Sequence, residues 1–292
     1  MRKILLCCAL LLGCFAGAAQ AAGPMRVAVG VAPMEYFAKK IGGPLVAITV
    51  LVPAGADAHT YEPKPSQMRA LSAAAVYLST GLEFEEAWEP RLKAANKKLV
   101  FCHTEAGLKM MPMPAHHEEH HHEEHHNGEE MDPHIWVSPP EVRSITAHVA
   151  EAFAKADPAN ARTYAANLAA FRKEIDALDA EIKGVFVGVP ADRRGFMVFH
   201  PAWGYFARSY GLTQTAIEFE GKEPSPKRLA AIVSEAKAKG VKVIFVQPQM
   251  ARRSAETIAK AVGAKVVAAD PLAADWAANL RGVAKAFRAA LQ

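Results

Sequence analysis

From Ala159 to Lys183 the chain runs without a single proline or glycine. Leu168, Phe171, Ile175, Leu178 and Ile182 recur at three- and four-residue spacing, so they fall on one face of a helix. Asp157-Pro158 supplies the start signal. At 1.5 Å per residue the helix is roughly 35–40 Å long, a long span for one helix in a globular protein. It is therefore read as a bridge, and the chain must be organised as two bodies on either side of it.

Those two sides repeat one pattern. Ahead of the bridge, Met25 to Val31, Val46 to Val52, Ala75 to Ser79 and Lys98 to Cys102 read as strands. Met34 to Ile41 and a stretch capped by Ser66 read as intervening helices, and Ser138-Pro139-Pro140-Glu141 opens another that runs to about Lys155. Beyond the bridge, Gly195 to Phe199, Thr213 to Phe219, Val241 to Val246 and Lys265 to Ala268 are strands. Trp203 to Tyr210, a segment opened by Ser225-Pro226, Ser254 to Val262 and Trp276 to Leu291 are helices. Strands alternating with helices imply βα units and mostly parallel sheets, an α/β architecture. The expected division is residues 22–155 for a first lobe, 156–185 for the linking helix and 186–292 for a second lobe.

Residues 1–21 stand apart from the fold. Arg2 and Lys3 precede a short apolar run, Ile4 to Leu12, and Ala19-Gln20-Ala21 has the form of a cleavage site. This is a secretory signal peptide, too short to span a membrane, so the product is expected in the periplasm. Leu11-Leu12-Gly13-Cys14 also has the look of a lipobox, which makes lipid attachment at Cys14 the alternative. Without Arg2 and Lys3, 32 basic side chains face 30 acidic ones. No basic stripe argues for nucleic acid or a membrane surface. Beyond the signal region Cys102 is the lone cysteine, so no intramolecular disulfide is expected; it reads as a packed strand-end thiol.

The chemistry is carried by histidine. His116, His117, His120, His121, His122, His125 and His126 are interleaved with Glu118, Glu119, Glu123 and Glu124. Such a tract has no apolar face to bury, so it reads as a loop for weak, exchangeable metal capture, within 116–130. It generates H-E-x-x-H twice by repetition, without the packed helix a metalloprotease needs. Three other histidines have more ordinary surroundings. His59 lies in a turn-rich loop after a strand, His200 ends a strand, and His134 sits between a proline and an apolar pair. Ligands of open α/β sheets bind beyond the carboxyl ends of the strands. Asp270 is at a strand end as well. Three imidazoles and one carboxylate suit a divalent transition ion, zinc best of all. His103 and His148 read as structural.

Taken together these residues resemble the metal-binding solute receptors of ABC importers, the TroA-like or cluster A-I group. Within that group the likeness is to zinc-uptake receptors of the ZnuA type. It rests on Ala56-Asp57-Ala58-His59-Thr60-Tyr61-Glu62-Pro63, Asp132-Pro133-His134-Ile135-Trp136, Phe199-His200-Pro201-Ala202-Trp203-Gly204-Tyr205-Phe206 and Asp270-Pro271-Leu272. Their order and spacing are specific, and the likeness covers essentially all of the mature chain. It implies two α/β lobes joined by one long rigid helix, with the metal in the interlobe cleft. It carries ligand roles onto His59, His134 and His200, and a fourth-ligand role onto Asp270, with water as the alternative. It also implies Zn²⁺ as the transported ligand, a membrane permease as partner and a monomer that performs no catalysis. Manganese receptors of the group resemble this chain but place a carboxylate at the position of His200; a third imidazole favours zinc. Some zinc receptors carry an acid where this chain has Ala58, and the C-terminal disulfide of some relatives is absent. The rival of another class is a secreted zinc hydrolase, for which Glu62 is the nearest candidate base in sequence.

Overall fold

A computed structural model describes residues 23–113, 131–218, 224–250 and 252–291. The signal segment with Cys14, and the tract from His116 to His126, lie outside the described residues. The first half contains β1 (Met25–Val29), α1 (Ala32–Gly42), β2 (Val46–Val50), α2 (Pro65–Ser72), β3 (Val76–Ser79), α3 (Glu83–Ala95), β4 (Val100–His103) and α4 (Pro139–Ala156). After α5 (Ala161–Val185) come β5 (Gly195–Val198), α6 (Gly204–Tyr210), β6 (Thr213–Ala216), α7 (Pro226–Ala238), β7 (Val243–Val246), α8 (Arg252–Val262), β8 (Lys265–Ala268) and α9 (Trp276–Ala290). Each half forms a four-stranded sheet, ordered β2-β1-β3-β4 and β6-β5-β7-β8. Every strand pair is parallel. In both sheets the order reverses at the first strand, and a crevice opens there beyond the carboxyl ends.

The long helix α5 has 25 residues and buries Tyr164, Phe171, Ile175, Leu178 and Ile182. It packs against α1 and α4 on one side and α9 on the other. One apolar core runs through both lobes, from Val27 and Phe37 in the first to Phe196 and Phe287 in the second, and a smaller one with Met197, Ile244 and Ile258 lies within the second lobe. Phe37 meets Trp276 edge-on, with ring centroids 5.1 Å apart. Close-packed interiors move as units rather than deform smoothly, so this shared core restrains any hinge at α5.

Polar contacts reinforce the junction. The Trp136 indole donates to the Pro271 carbonyl at 2.8 Å, and the Trp276 indole donates to the Trp136 carbonyl at 2.7 Å. These bonds hold the 270 loop against the segment that follows His134. The Tyr205 hydroxyl donates to the Asp132 carbonyl at 2.8 Å. Ser138 precedes α4 as expected, but its hydroxyl does not cap the helix. It meets Ser209 of the other lobe at 2.8 Å instead.

Two elements depart from the sequence reading. Helix α2 starts at Pro65, so Ser66 lies inside it rather than capping it. Helix α3 was not expected, because Pro90 and four early acids obscure its period; the structure nevertheless carries Pro90 within it. Its anchor is Glu85, a buried carboxylate that accepts from the Thr80 and Leu82 amides at 2.8 and 3.1 Å and from the Tyr77 hydroxyl at 3.0 Å. Gly30 leaves room for that carboxylate: a Cβ there would lie 2.3 Å from Glu85 Oε1. Among the described residues no helix is long and apolar enough to cross a membrane.

Candidate metal centre

His59 is set by a local turn. Asp57 accepts the His59 amide at 3.0 Å and the Thr60 hydroxyl at 3.1 Å, as aspartate does when it folds a loop on itself. The imidazole then points Nδ1 at Glu83, the first residue of α3, at 3.0 Å. His134 is held at closer quarters. Asp132 Oδ1 accepts both its amide, at 2.9 Å, and its Nδ1–H, at 2.7 Å. Asp132 itself fits because residue 204 is glycine, where a Cβ would come within 2.9 Å of its Oδ2. His200 lies just past β5 and gives Nδ1 to Glu218, just past β6, at 2.9 Å.

Each ring therefore commits Nδ1 to a carboxylate, which leaves Nε2 free to face the cleft. Nε2 of His134 lies 3.2 Å from that of His59 and 3.3 Å from that of His200. All three ligand atoms lie within 4.8 Å of one another. A neutral imidazole that donates through Nδ1 has no proton on Nε2. Three lone pairs thus converge with no hydrogen between them, which favours a cation at their centre. Zinc–imidazole bonds of about 2.0–2.1 Å in tetrahedral geometry place the nitrogens roughly 3.3 Å apart. The two short separations match that requirement. Carboxylates behind histidine ligands fix ring orientation and raise basicity, and Glu83, Asp132 and Glu218 supply one to each ring.

The rings differ in their readiness to take a proton. Burial pushes His134 down to about 4, against the opposing pull of Asp132. Burial also lowers His59, but its bond to Glu83 and the charges of Glu83, Asp57 and Glu218 outweigh that, and its pKa ends above the ordinary value.

Asp270 is not part of the three-histidine group. Its Oδ1 accepts from Gln249 Nε2 and from the Leu272 amide, each at 2.9 Å. A cavity of about 10 Å³ beside His59 and His134 is lined by Gln247, Gln249 and Leu272 among others. A larger one, about 480 Å³, opens near Gly195 and Thr213, at the amino ends of the second sheet and away from the histidines. Glu62 is exposed on the His59 loop. His148 is a packed ring whose Nδ1–H donates to the Thr104 carbonyl at 3.0 Å, and His103 bridges Glu89 and Glu105 at 3.1 and 2.9 Å. Cys102 is free, and burial pushes its thiol up to about 12.

Sequence reasoning had singled out the histidines and missed their partners. Glu83 and Glu218 lie 24 and 18 positions from the rings they orient. Only Asp132, two positions from His134, offered a local signal.

A family model described as zinc-uptake complex component A, periplasmic (ZnuA) matches residues 27–290. The high-affinity zinc uptake system protein ZnuA of Bacillus subtilis is 32% identical over 245 residues, covering 80% of this chain and 74% of the relative. The zinc-binding lipoprotein AdcA of Streptococcus pneumoniae is 29% identical over 271 residues, 91% of this chain. The chain spans 53% of that relative, about half its length. A crystal structure of a ZnuA lacking its residues 138–173, with zinc bound, is 42% identical at a TM-score of 0.83, covering 91% of this chain and 98% of the other.

Proposed function

Because the chain belongs to the ZnuA family of periplasmic zinc-uptake components, we propose that it captures Zn²⁺ outside the cytoplasm and delivers it to an ABC-type permease. The observation that carries this reading is the convergence of three Nε2 atoms, each backed by a carboxylate on Nδ1. His59, His134 and His200 hold the ion as neutral imidazoles, and Asp270 adds countercharge nearby. The set favours zinc over manganese, since imidazole is a softer donor than carboxylate. The ion is cargo, bound and released without turnover, and the receptor works as a monomer in the periplasm.

The tract from His116 to His126 raises the local zinc supply. The described residues on either side of it support a role next to the site: Pro112 pairs with Met131, and the Asp132 amide donates to the Met111 carbonyl at 2.7 Å. The segment thus returns one residue before the acid that orients His134. Its removal is expected to slow capture more than it weakens final affinity.

Competition calorimetry tests the reading. Zinc should bind with one-to-one stoichiometry at the cleft, outcompete manganese, and lose its tight phase in His200→Ala. An unchanged isotherm in that variant refutes the ligand assignment.

A further inference from the structure

The larger cavity, about 480 Å³, has no part in the metal site. It lies where two strands part. β5 and β6 are in register from Gly195↔Thr213 onward, but β5 and β7 pair only at Met197↔Ile244 and Val198↔Phe245. At the amino end of the second sheet Gly195 and Phe196 have no partner in β7, and both line the cavity in that wedge. Gly195 keeps it open. A Cβ there would meet no atom within 4 Å, and its φ is not among the positive ones that demand glycine. Thr213 and Thr215 pair with Gly195 and Met197, so they share that face of the sheet and add two hydroxyls to the lining.

The rest of the lining divides by character. Phe196, Met197 and Leu291 are buried and apolar. Arg193, Lys239 and Lys242 are exposed, and Asp192 is the one acid beside them. Lys239 is engaged by Glu235 at 2.8 Å, which leaves Arg193 and Lys242 without an ion pair among the described residues.

We propose that this cavity binds a small organic anion, its carboxylate at Arg193 and Lys242 and its apolar body against Phe196, Met197 and Leu291. The volume falls within the roughly 300–1,000 Å³ of small-ligand sites, which pair apolar walls with a few polar groups. An inorganic anion would leave the apolar wall uncovered. A neutral apolar ligand would leave both cations unused, and a cationic one would meet two of them against a single acid. The site goes beyond the metal reading and does not depend on it. β5 carries Gly195 at the cavity and leads to His200 at the cleft, five residues on, which at about 3.3 Å each separates the two sites by roughly 17 Å.

Calorimetry of the full chain with decanoate, and with decyltrimethylammonium as its cationic counterpart, tests this. Decanoate should bind one-to-one and the cation should not bind. Gly195→Leu directs a side chain into the open space, so it should weaken decanoate more than about tenfold and leave zinc binding unchanged. Lys242→Glu, at an exposed position that spares the core, should weaken it about fivefold. Absence of saturable decanoate binding to the wild type overturns the proposal, and that result needs no variant to fold. So does an affinity that either substitution leaves unmoved. Decyltrimethylammonium binding as tightly as decanoate overturns the choice of an anion. His200→Ala separates the two sites: it should lose zinc and keep decanoate, and retained zinc there counts against the histidines alone.

Discussion

His59 and the pair formed by His134 and His200 use the same device and differ in how firmly they are held. All three give Nδ1 to a carboxylate. The side chains of His134 and Asp132 are 4% and 2% exposed, and those of His200 and Glu218 are 3% each. His59 is 16% exposed and its partner Glu83 is 45% exposed. The pair sits where both lobes share a core and where Trp136, Trp276 and Tyr205 tie the segments together. His59 rides a loop fixed mainly by its own Asp57 turn. The contrast sets a firmly held pair of rings beside one ring held mainly by a local turn. On the proposed reading, release of the ion is expected to begin at His59.

The largest effect that would sharpen this contrast is expected from ligand removal. His134→Ala or His200→Ala should weaken zinc by more than about a hundredfold, since loss of a ligand exceeds the roughly 10–100-fold typical of losing its orienting partner. His59→Ala should cost less, because the rigid pair survives. Equal losses at all three positions, measured by competition with a chelator, would break the distinction.

Next come the carboxylates. Asp132→Asn and Glu218→Gln should each lower affinity by about 10–100-fold. Glu83→Gln should cost only a few-fold, because water screens an exposed partner. Protons should sort the rings in the same way. The pKa of His59 lies above the ordinary value and that of His134 near 4, so His59 is protonated before His134 as pH falls. Zinc affinity should drop about tenfold per pH unit once His59 titrates, one proton being displaced per ion. In His59→Ala that slope should flatten over the same interval, as read by calorimetry across buffers. The metal-free protein should also lose stability on acidification, through His134. A depressed histidine pKa means the unfolded chain binds the proton more readily, so stability is lost as pH falls from about 6.5 towards 4.

Smaller effects should separate fold from site. Gly30→Ala places a Cβ against Glu85 and should destabilise by about 1–3 kcal/mol, with zinc affinity reduced through the start of α3 and Glu83. Trp276→Phe removes the bond to the Trp136 carbonyl at the lobe junction. Chemical denaturation should register a loss of about 1–2 kcal/mol there, with affinity nearly unchanged.

The plan of the molecule could be read from the chain because its signals are local. Apolar spacing marked α5, and its observed buried face includes Phe171, Ile175, Leu178 and Ile182 as expected. Strand-end positions picked out His59 and His200, since parallel sheets direct chemistry to those ends, and the fixed setting between Pro133 and Ile135-Trp136 picked out His134. What could not be read depended on contacts across the fold. Glu83 and Glu218 look like ordinary acids until tertiary packing brings them to the rings. Helix α3 was hidden by Pro90 because its start is stabilised by Glu85 reaching β3, not by helix propensity.

Whether three imidazoles meet on one ion is read by X-ray absorption at the zinc edge of the loaded protein. Three imidazole nitrogens at about 2.0–2.1 Å and one light oxygen are expected, falling to two imidazoles in His59→Ala. A wild-type spectrum fitted by fewer than three imidazoles, or by a predominantly carboxylate shell, would contradict it.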